Sequence, residues 1–135
     1  MGTQIQKGLI SLAITLLISL PLTISAVEVD KDDFNFLTTE DLYSLCSAPL
    51  DDPDFVAAIY SCKGYIAGAV DYHDGISNRK DMKRLICYPQ NTTLKEGREA
   101  FVAWAKDRES DTAIMREQAV LGLVKALAAK YPCTD

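Results

Sequence analysis

The sequence predicts an all-α fold: a small bundle of four main helices stapled by two disulfides and preceded by a signal peptide. Three observations lead there. Phe55, Ile59, Cys62, Ile66 and Val70 recur at a period near 3.6, which places them on one face of a helix. Thr38 with Asp41 and Thr93 with Glu96 form capping boxes, in which a hydroxyl and a carboxylate each satisfy a helix-start amide. Cys46, Cys62, Cys87 and Cys133 all lie downstream of an apolar N-terminal stretch, as expected of an exported, disulfide-stabilised domain. Nothing reads as a β-hairpin.

Taken in order, residues 1–26 read as a secretory signal. Lys7 supplies positive charge, Leu9 to Leu20 is the apolar core, Pro21 breaks the helix, and Ser25-Ala26 offers small residues for cleavage. A membrane anchor is the competing reading. Pro21 and the hydroxyls of Ser11, Thr15, Ser19 and Thr23 weaken it, and an acidic stretch from Glu28 to Asp33 follows where a cationic stop would be expected. After cleavage no membrane association is expected, and export to an oxidising compartment is implied. Residues 27–37 are expected to be a flexible lead-in, and residues 38–135 the helical domain. With 135 residues in all, the length suits one core.

Thr38 starts a short helix carrying Leu42, Leu45 and Cys46 on one side and ending before Ala48-Pro49. Asp52 is the expected cap of the second helix, with Pro53 in its first turn, where a missing amide costs nothing. That helix is expected to reach about Asp71. Gly64 and Gly68, four apart, are expected to let another helix approach closely, since each glycine costs about 1 kcal/mol of helix propensity relative to alanine. His73 to Ile86 reads as a polar loop with one helical turn near Lys80 to Leu85. Thr93 starts a third helix with Leu94, Phe101, Trp104 and Ala105 on one face; Phe101 and Trp104 at this spacing read as core. Lys106 to Ser110 is a charged connector. Asp111 is the expected cap of one last helix bearing Ile114, Met115, Ala119, Leu123, Leu127 and Tyr131, ended by Pro132.

The cysteines admit three readings. Zinc is disfavoured because no Cys-x-x-Cys pair occurs and His73 is the only histidine. A thiol nucleophile paired with His73 is disfavoured by the even, dispersed set. Disulfides remain. The pairing Cys46–Cys62 with Cys87–Cys133 is favoured over the two alternatives, because each bridge then joins elements expected to be neighbours. In the chain-entropy model these bridges contribute roughly 3 and 4 kcal/mol.

The net charge of −5 argues against general nucleic-acid binding, which needs a basic field. No nucleophile elbow, zinc-protease helix, phosphate loop or dinucleotide fingerprint occurs, so neither catalytic residues nor a cofactor or metal are expected. His73 beside Asp74 reads as a solvated loop pair rather than an acid–base couple.

The segment Cys62-Lys63-Gly64-Tyr65-Ile66-Ala67-Gly68-Ala69-Val70-Asp71, followed by Cys87-Tyr88-Pro89, the Thr93-Leu94 helix start, Ala126-Leu127 and Tyr131-Pro132-Cys133, resembles the Rap/Tai family of type VI secretion immunity proteins. The resemblance spans Leu42 to Cys133. It implies a small helical periplasmic protein that is not an enzyme and that binds and inhibits a peptidoglycan amidase effector, often as a homodimer. It also implies structural roles for Cys62, Cys87 and Cys133 and a packing role for the Gly64/Gly68 face. The connector Lys106-Asp107-Arg108-Glu109-Ser110 departs from the proline-containing connector of that family.

If the role is immunity, two loops are candidates to enter the amidase groove. Asp107, Arg108, Glu109 and Asp111 would carry the contact in the second, slightly favoured for its acids; Arg79 and Lys80, with Lys83 and Arg84, would carry it in the first. The alternative is a periplasmic helical binding or acid-stress chaperone domain with no toxin partner.

Overall fold

The computed structural model describes residues 28–79 and 82–134. The expected signal peptide lies outside the described residues, as does Lys80. Five helices follow one another: α1 (Thr39–Ser47), α2 (Phe55–Ser77), α3 (Leu94–Lys106), α4 (Thr112–Met115) and α5 (Ala119–Lys130). Four are main helices and α4 is a single turn, so the expected all-α architecture holds. Among the described residues, no helix is long and apolar enough to cross a membrane.

The core forms where α1 packs against α2, α3 and α5. Leu42, Leu45 and Cys46 of α1 are fully buried against Ile66 of α2, Phe101 of α3 and Leu123 of α5. Both expected capping boxes form. Thr38 accepts from the Asp41 amide and Asp41 from the Thr38 amide, while Thr93 and Glu96 do the same for α3. The Thr93 backbone amide and hydroxyl, both donating to Glu96, hold its carboxyl below the usual range. Leu94 departs from the expected apolar face. At the first position of α3 it stays exposed at the rim of a recess, above Ile66 and Leu127.

The bridges are Cys46–Cys62 and Cys87–Cys133, with Cα atoms 5.2 and 4.9 Å apart. No thiol remains, which disposes of the zinc and thiol-nucleophile readings. The first bridge joins the end of α1 to the buried face of α2. The second ties the chain ahead of α3 to the residues after α5, reinforced by the Cys87 amide donating to the Tyr131 carbonyl at 2.9 Å.

Four expectations need correction. Residues 28–36 of the expected lead-in are packed: a 3₁₀ turn, Lys31–Asn35, has its own capping box at Asp30 and Asp33. The Val29 amide bonds Asp52, and the Phe36 ring stacks on Tyr65 at 4.8 Å. Phe36 takes φ 53°, a conformation costly for a side chain with a Cβ, and the stacking offsets that cost.

Helix α2 starts at Phe55 after Asp54, not after Asp52. Asp52 is otherwise engaged, accepting from the Asp54 and Val29 amides. The helix also runs past Asp71 through His73 to Ser77. His73 continues the inward face beyond Val70 and is 7% exposed; its ring nitrogens find partners, so the helix can carry a polar residue inward.

Gly64 and Gly68 do not admit another helix of this chain. Both are exposed, and a Cβ at either would meet nothing within 4 Å. They lie opposite the Ala58, Ile59, Cys62 and Ile66 face that α2 buries.

The expected last helix is broken between Met115 and Ala119. There the Glu117 carbonyl accepts the Thr39 amide at 2.8 Å, and the Thr39 hydroxyl lies 3.3 and 3.4 Å from the Glu117 and Gln118 carbonyls. The Glu117 carbonyl, turned toward the start of α1, is taken from the helix, while that of Gln118 opens α5 by accepting the Gly122 amide. Gly122 makes the approach possible, since a Cβ there would stand 2.3 Å from the Thr39 hydroxyl oxygen. Asp111 therefore caps only α4, accepting from the Ala113 and Ile114 amides.

Candidate partner-binding surface

The connector between α3 and α4, residues 107–111, is a run of interlocked turns. Backbone amides of Asp107, Arg108, Glu109 and Asp111 donate to the carbonyls of Ala103, Ala105, Lys106 and Arg108. Its side chains are tied down on two sides. The Arg108 guanidinium lies 4.5 Å from the Trp104 ring centre and donates to the Trp104 carbonyl at 2.8 Å. On the other side, the Tyr43 phenol of α1 donates to the Glu109 carboxylate. Burial of Tyr43, together with that carboxylate, pushes its phenol up to about 12.

Of the four residues singled out in this loop, three serve its own architecture: Arg108 stacks, Glu109 anchors and Asp111 caps. Asp107 alone remains exposed without a side-chain bond among the described residues. A groove of about 640 Å³ opens between α3 and α5. Its lining includes Ala100, Ala103, Ala126 and Ala129, with Trp104 and Tyr131 as its aromatic members. Trp104 is thus half-buried, part core and part groove wall.

The second loop is built differently. The Arg79 amide closes the end of α2 on the Ile76 carbonyl, and its side chain is exposed. Beyond it, Met82 to Tyr88 returns along α2. The Leu85 and Ile86 amides both donate to His73 Nε2 at 3.3 Å, and Ser77 Oγ lies 3.4 Å from the same nitrogen. His73 Nδ1 lies 3.0 Å from Asp74 Oδ1. Arg84 donates to the same oxygen at 2.7 Å and to the Ile86 carbonyl at 2.9 Å, and the Tyr88 phenol donates to the other Asp74 oxygen. Burial raises the Asp74 carboxyl, but bonds from Tyr88 and His73 and the Arg84 charge outweigh it and leave Asp74 below the ordinary range.

His73 and Asp74 are thus a buried helical pair that organises a loop, not a solvated loop pair. This loop leans on α2, and the connector leans on α1 and α3. Sequence reasoning missed Tyr43 and Tyr88, which gave no signal beyond aromatic identity. It also missed Leu50, 84% exposed in the α1–α2 turn.

With the helical order, the bridges and this surface in place, comparison with known families is decisive. A model of the Rap1a immunity proteins matches residues 38–133. The chain belongs to that family. The match begins at the Thr38 cap and ends at the last bridged cysteine, so it covers the whole helical unit. No curated protein and no solved structure matches. Membership makes this Rap1a-family chain a type VI immunity protein, whose task is to bind an effector.

Proposed function

We propose that this chain is a periplasmic immunity protein that binds a peptidoglycan amidase effector and plugs its active-site groove, with no catalysis of its own. The observation that carries the reading is the connector at residues 107–111, ordered in advance by Tyr43–Glu109 and Arg108–Trp104. An amidase with a Cys–His nucleophile must admit a peptide into a groove. A loop that already holds its bound shape loses little conformational entropy on entering that groove and excludes substrate simply by occupying it. Asp107 is the side chain placed to meet a catalytic histidine. Arg108, Glu109 and Asp111 shape the loop, while Arg79 and Lys80 contact an acidic rim. Residues 1–26 direct export and are removed.

A homodimer is part of this reading. Val56, Tyr60 and Tyr72 are 65%, 72% and 71% exposed, and with exposed Gly64 and Gly68 they fall on one ridge of α2 at four-residue spacing. Tyr60, Gly64, Gly68 and Tyr72 are placed symmetrically about residue 66. A second α2 laid antiparallel would set each tyrosine beside the other, the glycines opposite one another, and Arg79 near the partner's Asp54.

The test is whether a cell-wall amidase encoded beside this chain co-purifies with it and loses activity on isolated peptidoglycan. A complex that a Gly/Ser connector replacement abolishes is the expected result. Undiminished inhibition by that variant overturns the connector's role, and failure to form any complex overturns the amidase reading.

A further inference from the structure

The two amides converging on His73 determine which ring nitrogen can hold the proton. Leu85 and Ile86 each direct an N–H at Nε2, so that nitrogen must offer its lone pair. The proton of the neutral ring then sits on Nδ1 and is donated to Asp74. The residue is 7% exposed, so water cannot readily replace a lost partner. The charged or titratable groups around the ring are Asp74 on its own helix, and Arg84 and Tyr88 from the returning segment, where Lys83 is the other cation. Asp74 holds its charge into acid, as its three donors require. A second proton on the imidazole can go only to Nε2, where it would face two N–H donors and turn both bonds into repulsions.

We infer that neutral His73 is a latch holding the segment Met82–Ile86 on the end of α2, and that acidification opens it. Arg84, whose guanidinium bonds both Asp74 and the Ile86 carbonyl, keeps its bond to Asp74, so the segment loosens at Leu85 and Ile86 first. Cys87, bridged to Cys133 and bonded to Tyr131, is the hinge beyond which nothing moves. Met82 and Leu85, 50% and 56% exposed, ride on the segment just after Arg79. If Arg79 contacts an effector, as the proposed function has it, acid would weaken that half of the binding surface and spare the connector. This last consequence rests on the immunity reading; the latch does not.

The latch is tested on the intact, disulfide-bonded protein by ¹H–¹⁵N correlation of the imidazole and by amide exchange. At about pH 7.5 the latch requires a bare Nε2 and a protonated Nδ1; a protonated Nε2 overturns it. Between about pH 7.5 and about pH 5, protection at Leu85 and Ile86 is expected to fall about tenfold, with the Cys87 amide as an unchanged reference. Unchanged protection overturns the latch. In His73→Gln, the amide oxygen can accept from the same donors without titrating, so the pH response should disappear; a response equal to wild type assigns it elsewhere and overturns the inference. Co-purification with the amidase separates the two claims. A complex with no change in protection leaves immunity standing and removes the latch. A change in protection with no complex does the reverse.

Discussion

The two candidate loops share one kind of anchor, a phenol donating to a carboxylate, and differ in the other. The connector at residues 107–111 hangs on a phenol donating to a carboxylate and on a guanidinium over an indole. Burial and the Glu109 carboxylate hold the proton on the Tyr43 phenol into alkali. The segment Met82–Ile86 hangs on an imidazole lone pair and on one carboxylate that gathers three donors. Both loops therefore have an edge in alkali, where the raised Tyr43 and Tyr88 phenols lose their protons, and the segment has a second edge in acid through Asp74. The acid edge is what separates them, because the segment is anchored on a carboxylate held below its ordinary range.

Removing the Cys87–Cys133 bridge should have the largest effect. Replacing both cysteines with serine is expected to cost about 4 kcal/mol in urea unfolding. Amide exchange should rise in residues 82–88 before it rises in the connector. Equal loosening of both loops would break the comparison.

Gly122→Ala comes next, at about 1–3 kcal/mol. The added methyl would collide with Thr39, a short, β-branched and fully buried residue that cannot swing aside. Thermal unfolding reads the loss, and the α1–α5 contact should be the part disturbed.

Tyr43→Phe is smaller, about 1 kcal/mol, because it removes one hydrogen bond and leaves an exposed carboxylate that water can serve. Exchange at Glu109 and Asp111 should rise while Leu85 and Ile86 stay protected. A change in the second loop alone would contradict the separation drawn here.

The pH edges sharpen the comparison most finely. The Tyr43 phenol is raised from 10.0 to about 12. Its contribution is therefore full below pH 10.0 and lost as pH rises through about 12. Ultraviolet titration of wild type against Tyr43→Phe should show one late-ionising phenol. Asp74 is lowered from its ordinary value of 3.8. Its contribution is present above that value and lost as pH falls through the folded value. Asp74→Asn should flatten the acid limb of the stability curve, and it should also draw the Tyr88 phenol, raised in part by Asp74, back toward its ordinary range.

Much of the fold was legible in residues near each other in the chain. Thr38 and Thr93 announce their helices because a capping box is a contact between residues three apart. The buried faces of α1 and α2 follow from spacing, and the bridges follow from which elements become neighbours. The candidate surface was only partly legible. The two loops could be located by their charge. Nothing local says that Glu109 belongs to Tyr43, sixty-six residues away.

The amino-acid sequence by itself determined the helical class, the starts of α1 and α3, the cysteine bridging and the family, because these depend on short-range periodicity, capping and a recurring order of residues. The tertiary structure alone decided where the last helix breaks, which face of α2 stays open, and that His73 is buried. Those outcomes depend on distant groups: Thr39 claiming the Glu117 carbonyl, and the Leu85 and Ile86 amides claiming an imidazole. A hydrogen bond between remote residues leaves no periodic trace in the chain, so only the packed molecule shows which partner prevails.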